Sequence, residues 1–301
     1  MTHAIRTDNL TKKFRHVDAL RSLNLELPTG AIYGLVGSNG AGKTTAIKIL
    51  MNITEPSGGR AEILGVDSRK LAGQAFASIG YVSENQDLPE WMTVANLLGY
   101  LRPFYPTWDN DLEKALVAQF DLPLDRKLRH LSRGMRMKAA LASSLAYHPK
   151  LIVLDEPFTG LDPLVRDELI EGMLERAAEA TVLISSHDLA EIESFASHIG
   201  YIEQGMLRFS EEMSTLGNRF REIEVTLAEP VPMPAQMPST WLQPQSSGAV
   251  VRFVDSQFDS ERTAAEIRRC FGNTAAVSGS PMSLRSIFLA LARSGRSGVQ
   301  S

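Results

Sequence analysis

The stretch GSNGAGKT, Gly37 to Thr44, constrains this chain more than any other. It fits G-x-x-x-x-G-K-[ST], a glycine-rich loop whose backbone amides cradle phosphates. An apolar run, Ala31–Val36, precedes it and reads as a buried strand, and Thr45–Asn52 follows as the start of a helix. Strand, loop and helix in that order form the setting such a loop needs. Gly37, Gly40 and Gly42 let the backbone turn its N–H groups inward, where a side chain would collide with a phosphate. Ser38, Asn39, Ala41 and Thr45 supply the remaining amides around the same anion. The helix N-terminus adds its positive dipole end. Lys43 is placed to reach the β- and γ-phosphates, and Thr44 to hold Mg²⁺.

A length of 301 residues allows one large domain or two smaller ones, and an apolar fraction of 44% fills a sizeable core. Lys and Arg number 31 against 35 Asp and Glu, for a net charge of −4, with no long run of like charge. That balance argues against a nucleic-acid partner. A single cysteine, Cys270, excludes an intrachain disulfide and fits a reducing compartment. Apolar runs such as Leu151–Leu154 fall far short of the roughly 20 residues that cross a bilayer. The N-terminal MTHAIRTDNL lacks the apolar core of a signal peptide. Any work at a membrane is therefore expected to pass through a partner.

Along the chain, Ile5 to Leu27 reads as strand, turn near Arg15–Asp18, and strand. Ile79–Val82 is a further short strand. Met92–Leu101 and Leu112–Leu122 space their apolar residues at three and four, as helices do, and Asp109 is placed to cap the second. Strand patterns return at Leu151–Glu156 and Thr181–His187, with a helical pattern at Val165–Ala178 between them. Strand, helix, strand predicts a parallel α/β sheet with buried strands, into which the helical block is inserted. Beyond Asn218 the composition shifts. Ile223–Leu227 and Val250–Val254 read as strands flanking a Pro-, Ser- and Gln-rich mobile loop, Pro230–Gly248. Glu261–Phe271 and Met282–Arg293 read as helices, and Ser294–Ser301 as a frayed tail.

Three further stretches carry chemistry. LIVLDE (Leu151–Glu156) is an apolar strand ending in two acids. Beside a phosphate loop, Asp155 can hold Mg²⁺ through water. Strand alternation turns Glu156 the other way, where it can polarise a water in line with the γ-phosphate. In HLSRGMRMKAALASSLA (His130–Ala146), Ser132 is a good N-cap and Gly134 allows close backbone approach, which makes a second helix start facing an anion. His187 follows the second apolar strand. The other histidines, His3, His16, His130, His148 and His198, have no metal-ligand spacing. Trp91 and Trp108 serve equally well as partner contacts or as core aromatics.

Together these motifs resemble the ATP-binding subunit of an ATP-binding-cassette (ABC) transporter. GSNGAGKT resembles its Walker A motif and LIVLDE its Walker B motif. LSRGM (Leu131–Met135) resembles the signature loop, and GLD (Gly160–Asp162) the D-loop. His187 in SSHD resembles the switch histidine, and Phe14 lies where the family stacks an aromatic on adenine. The motifs occur in family order between about Ile5 and Leu216. Two positions depart from the pattern. Arg133 and Met135 stand where the signature LSGGQ has Gly and Gln, and Glu84, in YVSENQ, stands where a glutamine is usual. Both departures, with FYPTWD (Phe104–Asp109) and SLRSIFLAL, are similar to bacterial subfamilies of exporter type.

The resemblance implies a P-loop α/β core with an N-terminal antiparallel β portion, a helical subdomain at about 88–147, and a small C-terminal α+β domain at 218–301 after an ATP-binding domain at 1–217. It implies ATP and Mg²⁺ as cofactors, with Thr44, Glu84 and Asp155 toward the metal. Glu156, His187 and Lys43 are the implied catalytic residues. Ser132, Gly134 and Asp162 are implied to meet the nucleotide of a second subunit, so that a homodimer or a paralogue heterodimer completes each site. The remaining implied partners are integral membrane permease subunits, which place the chain on the cytoplasmic face of the cell membrane. The alternative is an ATPase of the same type without a transport role. A small-molecule kinase would leave the signature loop and His187 unexplained.

Overall fold

Strands that are covered on both faces need runs that are largely apolar, and LIVL and VLI supply them. The computed structural model, which describes residues 3–84, 86–177, 180–234, 236–272 and 274–297, builds them into the centre of a sheet. The chain divides into two compact units, Met1–Ser210 and Glu211–Ser301.

In the first unit, β1 (His3–Phe14), β2 (Val17–Leu23) and β3 (Glu26–Pro28) precede β4 (Ile32–Val36) and α1 (Lys43–Leu50). β5 (Gly58–Ile63), β6 (Val66–Asp67) and β7 (Ile79–Ser83) follow. The helices α2 (Val94–Leu101), α3 (Asn110–Gln119) and α4 (Arg133–Leu145) form the inserted block. β8 (Leu151–Asp155), α5 (Pro163–Ala177), β9 (Thr181–Ser186), α6 (Ala190–Glu193), β10 (His198–Glu203) and β11 (Met206–Glu212) complete the sheet region.

One sheet is antiparallel, in the order β2-β1-β5-β6 with β3 also on β1. The second runs β11-β10-β4-β9-β8-β7, parallel from β10 to β7. β8 and β9 are buried at every residue. Leu10, Leu23, Leu27, Ile47, Leu50, Ile63 and Val153 belong to one core cluster, which joins the two sheets around α1. Truncating such a leucine to alanine costs about 2–5 kcal/mol.

The inserted helices start on side-chain caps, each worth about 1 kcal/mol. Thr93 accepts from Asn96 N, Asp109 from Asp111 N and Leu112 N, and Ser132 from Met135 N. His148 Nε2 lies 3.0 Å from the Asp109 carboxylate. Tyr147 fastens this block to the sheet, its hydroxyl donating to Ile79 O at 2.8 Å while its ring stacks on Tyr105 at 3.8 Å.

The second unit holds α7 (Met213–Arg219), β12 (Arg221–Leu227), β13 (Trp241–Ser247), β14 (Val250–Asp255), α8 (Ser260–Phe271), β15 (Thr274–Pro281) and α9 (Leu284–Ser297). Its antiparallel sheet has the order β13-β14-β12-β15. The division falls inside β11, and Arg219, the last residue of α7, ties the start of this unit together. Its guanidinium binds Glu211 at 2.8 Å and the Ser256 carbonyl at 2.6 Å.

The segment 230–248 is not wholly a loop. Trp241 begins β13 and stacks on Phe253 at 4.0 Å in the core. The expected tail is helical to Ser297, and residues 298–301 lie outside those described.

Candidate functional site

Parallel strands bring their C-terminal ends to one edge of a sheet, the edge at which open α/β folds bind ligands. Register fixes which residues meet there. Ser83 pairs with Asp155, Asp155 with Ser185, and Ser186 with Val36. The residues just beyond are Glu84, Glu156, His187 and the glycine-rich loop. They surround a cavity of about 360 Å³ lined by Asn39, Gly40, Gly42, Lys43, Thr44, Thr45, Glu84, Glu156, Thr159 and His187.

Two of the loop's glycines are required by packing within the protein as well. A Cβ on Gly37 would lie 2.2 Å from the backbone oxygen of Ile202, and one on Gly42 would lie 2.6 Å from that of Ala19. The protein's own backbone is enough to exclude side chains at both positions. Gly40 is open, with nothing within 4 Å, but its φ of +80° favours glycine. Gly37→Ala is therefore expected to lower stability by about 1–3 kcal/mol. An unchanged denaturation midpoint would refute that packing account. Gly37 N also donates to Ser186 O at 3.3 Å, and Ala41 N to Ser38 O at 3.0 Å, so hydrogen bonds hold the loop's shape.

Lys43 is only 4% exposed. Its ammonium donates to Gly37 O at 2.5 Å and Ser38 O at 3.2 Å, and lies 3.1 Å from Glu156 Oε1. The other oxygen, Oε2, accepts from Thr159 Oγ1 at 3.0 Å and lies 2.7 Å from His187 Nδ1. Burial pushes the Glu156 carboxyl up, but the bonds from His187, Lys43 and Thr159 outweigh it and hold the group below the ordinary glutamate range. Glu156 does not owe its direction to strand alternation. β8 ends at Asp155, and Glu156 takes a left-handed φ of +53°. Its N–H is held by Ser185 Oγ at 2.9 Å, so the turn aims the side chain.

Asp155 is buried. Its Oδ1 accepts from Ser185 Oγ at 2.7 Å and Thr44 Oγ1 at 3.0 Å. Burial pushes its carboxyl up, and these two hydroxyls oppose the rise. Thr44, Asp155 and Glu84 offer hard oxygens of the kind Mg²⁺ takes. Among the described residues no group of three or more His, Cys, Asp or Glu forms a metal cage. Glu84 N donates to Asp155 O at 3.0 Å, and the Glu84 carboxylate pairs with Arg133. Ser185 and Thr159 escaped the sequence reading. Their only signal was adjacency, Ser185 within TVLISSH and Thr159 three residues after Glu156.

The other expected residues lie off this cavity's lining. Ser132 caps α4, and a Cβ on Gly134 would strike Val165 at 2.7 Å, so Gly134 serves helix packing. Asp162 Oδ1 accepts from Val165 N at 3.1 Å at the start of α5. Phe14 is 47% exposed at the end of β1, with the Lys12 ammonium 4.8 Å from its ring centre. Trp91 is exposed, whereas Trp108 packs near Tyr105 and Tyr147 and donates to Glu113 at 2.7 Å.

Comparison with known proteins agrees with this geometry. Residues 20–159 match the family described as ABC transporter. The chain is 32% identical to the bacitracin transport ATP-binding protein BcrA of Enterococcus faecalis, over 74% of this chain and 73% of that one. It is 35% identical to the daunorubicin resistance ATP-binding protein DrrA2 of Streptomyces coeruleorubidus, over 77% and 74%. Similarity to the daunorubicin/doxorubicin resistance protein DrrA of Streptomyces peucetius, at 29% identity, spans 96% of this chain and 92% of that one, so it takes in the second unit. A solved ATP-binding subunit of an ABC transporter superposes with a TM-score of 0.66 at 27% identity, over 72% of this chain and 92% of that structure. With fold, loop and acidic strand end in agreement, the chain belongs to the ABC transporter family, as one of its ATP-binding, ATP-hydrolysing subunits.

Proposed function

We propose that this subunit binds Mg·ATP at the C-terminal edge of its parallel sheet and uses hydrolysis to drive export by separate membrane-spanning subunits. The observation that carries this reading is the Lys43–Glu156–His187 constellation, with 3.1 and 2.7 Å contacts beside the phosphate loop. Lys43 and the loop amides bind phosphate, and Phe14 stacks on the base. Thr44, Asp155 and Glu84 would hold a magnesium ion, which would offset phosphate charge when bound. Glu156 takes the proton of the attacking water, and His187 steadies both that carboxylate and the γ-phosphate. Much of the catalysis is positional, because hydrogen bonds to neighbouring groups hold Glu156, Asp155 and His187 in place.

Ser132, Gly134 and Asp162 do not line the cavity of their own chain. In this reading they complete the cavity of a second subunit, a copy or a paralogue, so that ATP holds the two together until hydrolysis. Among the described residues no helix is long and apolar enough to cross a membrane. Docking onto a permease at the inner face of the cell membrane supplies the membrane link. Export is the direction supported by the relatives named for bacitracin transport and for daunorubicin resistance.

The test is ATP turnover by the purified chain, with and without the membrane subunits that co-purify with it. Trp91, 67% exposed, stands on the segment leading into the inserted helices. Asp87→Arg or Trp91→Ala is expected to lower permease-stimulated turnover several-fold while basal turnover stays within about twofold. Burying one large aromatic at an interface is worth that much. Equal loss of basal and stimulated turnover would refute docking at this segment.

A further inference from the structure

The two positions at which the chain departs from the family's sequence pattern meet in space. Glu84 lines the nucleotide cavity with Lys43, Thr44 and Glu156. Its carboxylate is ion-paired with Arg133, the first residue of α4. Arg133 does not line that cavity. It lies in an adjoining one of about 430 Å³, whose wall also includes Glu84, so Glu84 is shared between the two spaces and Arg133 backs it from behind. A Cβ on Gly160 would lie 2.9 Å from Arg133 Nη1, so the guanidinium also rests against the turn after Glu156. The neighbouring Arg136 faces a different acid, Glu90, at 3.9 Å.

A glutamate at position 84 poses an electrostatic problem. Asp155 and Glu156 already stand at this edge, and Lys43 is the cation lining the cavity. A third carboxylate repels any anion entering there. We propose that Arg133 is a positioning residue for this site: it neutralises Glu84 within the same chain and fixes its carboxylate, which lets an acid occupy the mouth of a phosphate-binding cavity. The proposal rests on the nucleotide reading above. It makes a pairwise demand: beyond the direct attraction of its own charge, which is the same in any background, Arg133 acts on phosphate affinity by fixing the Glu84 carboxylate.

Equilibrium titration of dilute full-length protein with Mg·ATP tests that demand, since dilution removes any contribution from a second copy. Arg133→Gln is expected to weaken binding about three- to thirtyfold at low salt, the size of one uncompensated charge several ångströms from phosphate. Added salt should shrink the loss, because both side chains are partly exposed. In a Glu84→Gln background the same Arg133→Gln change should cost clearly less, because only the direct attraction of the guanidinium is then lost. Arg133→Lys should retain most of the parental affinity, which distinguishes charge compensation from a purely structural contact.

If Arg133→Gln does not fold, Arg133→Met compared in the parental and Glu84→Gln backgrounds puts the same question. Equal losses in the two backgrounds, or no loss in the parental one, would overturn the inference and leave the nucleotide reading standing. A parental chain that binds no Mg·ATP would remove both.

Discussion

Glu156→Gln is expected to leave ATP binding intact while turnover falls about a hundred- to ten-thousandfold, the usual weight of a general base. The geometry explains why the two effects separate. A glutamine side chain has nearly the same shape, and its carbonyl oxygen can still accept from Lys43 or Thr159, so the phosphate loop keeps its arrangement. It cannot accept a proton from water. ATP should then persist between two subunits, and a closed dimer should accumulate as an ATP-dependent shift in size-exclusion chromatography. Ser132→Arg on this background should abolish the shift, because a bulky cation at the α4 cap blocks close approach to the opposite γ-phosphate. Parental turnover in Glu156→Gln would exclude Glu156 as the base. Dimerisation of the double variant would show that the signature loop does not face nucleotide across the interface. The variant also has a stability signature. The Glu156 carboxyl is held below its ordinary range, so its contribution is present above the unfolded-state pKa and lost as pH falls through the folded value. Glu156→Gln should flatten that acid limb of the stability profile.

The order of motifs along the chain was sufficient to place the phosphate loop, both acidic strand-end residues and His187, because parallel strands must deliver their C-terminal ends to one edge. What the chain order could not carry was the contact between distant backbones. Gly37 reads as a phosphate-binding glycine, yet Ile202 O is what its missing side chain avoids. Glu156 reads as the next residue of an alternating strand, yet its φ of +53° sets its direction, and that turn depends on Ser185 from a neighbouring strand. Strands β5 and β13 were illegible for a related reason. GGRAEI and WLQPQSS lack a clean two-residue period, and their pairing partners supply the order their own sequences do not. The Arg133–Glu84 pair joins residues on two segments far apart in the chain, and each looked like an isolated departure until the fold brought them together.

Lys43→Ala is expected to lower ATP affinity by about a hundredfold. One or two charge-assisted hydrogen bonds to phosphate, each worth about 1.5–3 kcal/mol, are removed. The loop amides and Mg²⁺ remain, so residual weak binding is expected. The three acceptors around the ammonium, Gly37 O, Ser38 O and Glu156 Oε1, hold it beneath the loop at 2.5, 3.2 and 3.1 Å. The same ammonium therefore stands between the glycine-rich loop and the Glu156 carboxylate. In the proposed reading Lys43 is thus placed to hold phosphate and to touch the base at once. Lys43→Arg should not rescue binding, because a side chain only 4% exposed leaves no room for a guanidinium fork. Nucleotide titration of the purified variants measures the loss directly. Thermal unfolding provides an independent reading: saturating Mg·ATP should raise the parental midpoint and leave that of Lys43→Ala nearly unmoved, since stabilisation follows the ratio of ligand concentration to Kd. An affinity equal to that of the parent would mean that Lys43 does not touch phosphate, and its contact with Glu156 would then be structural alone.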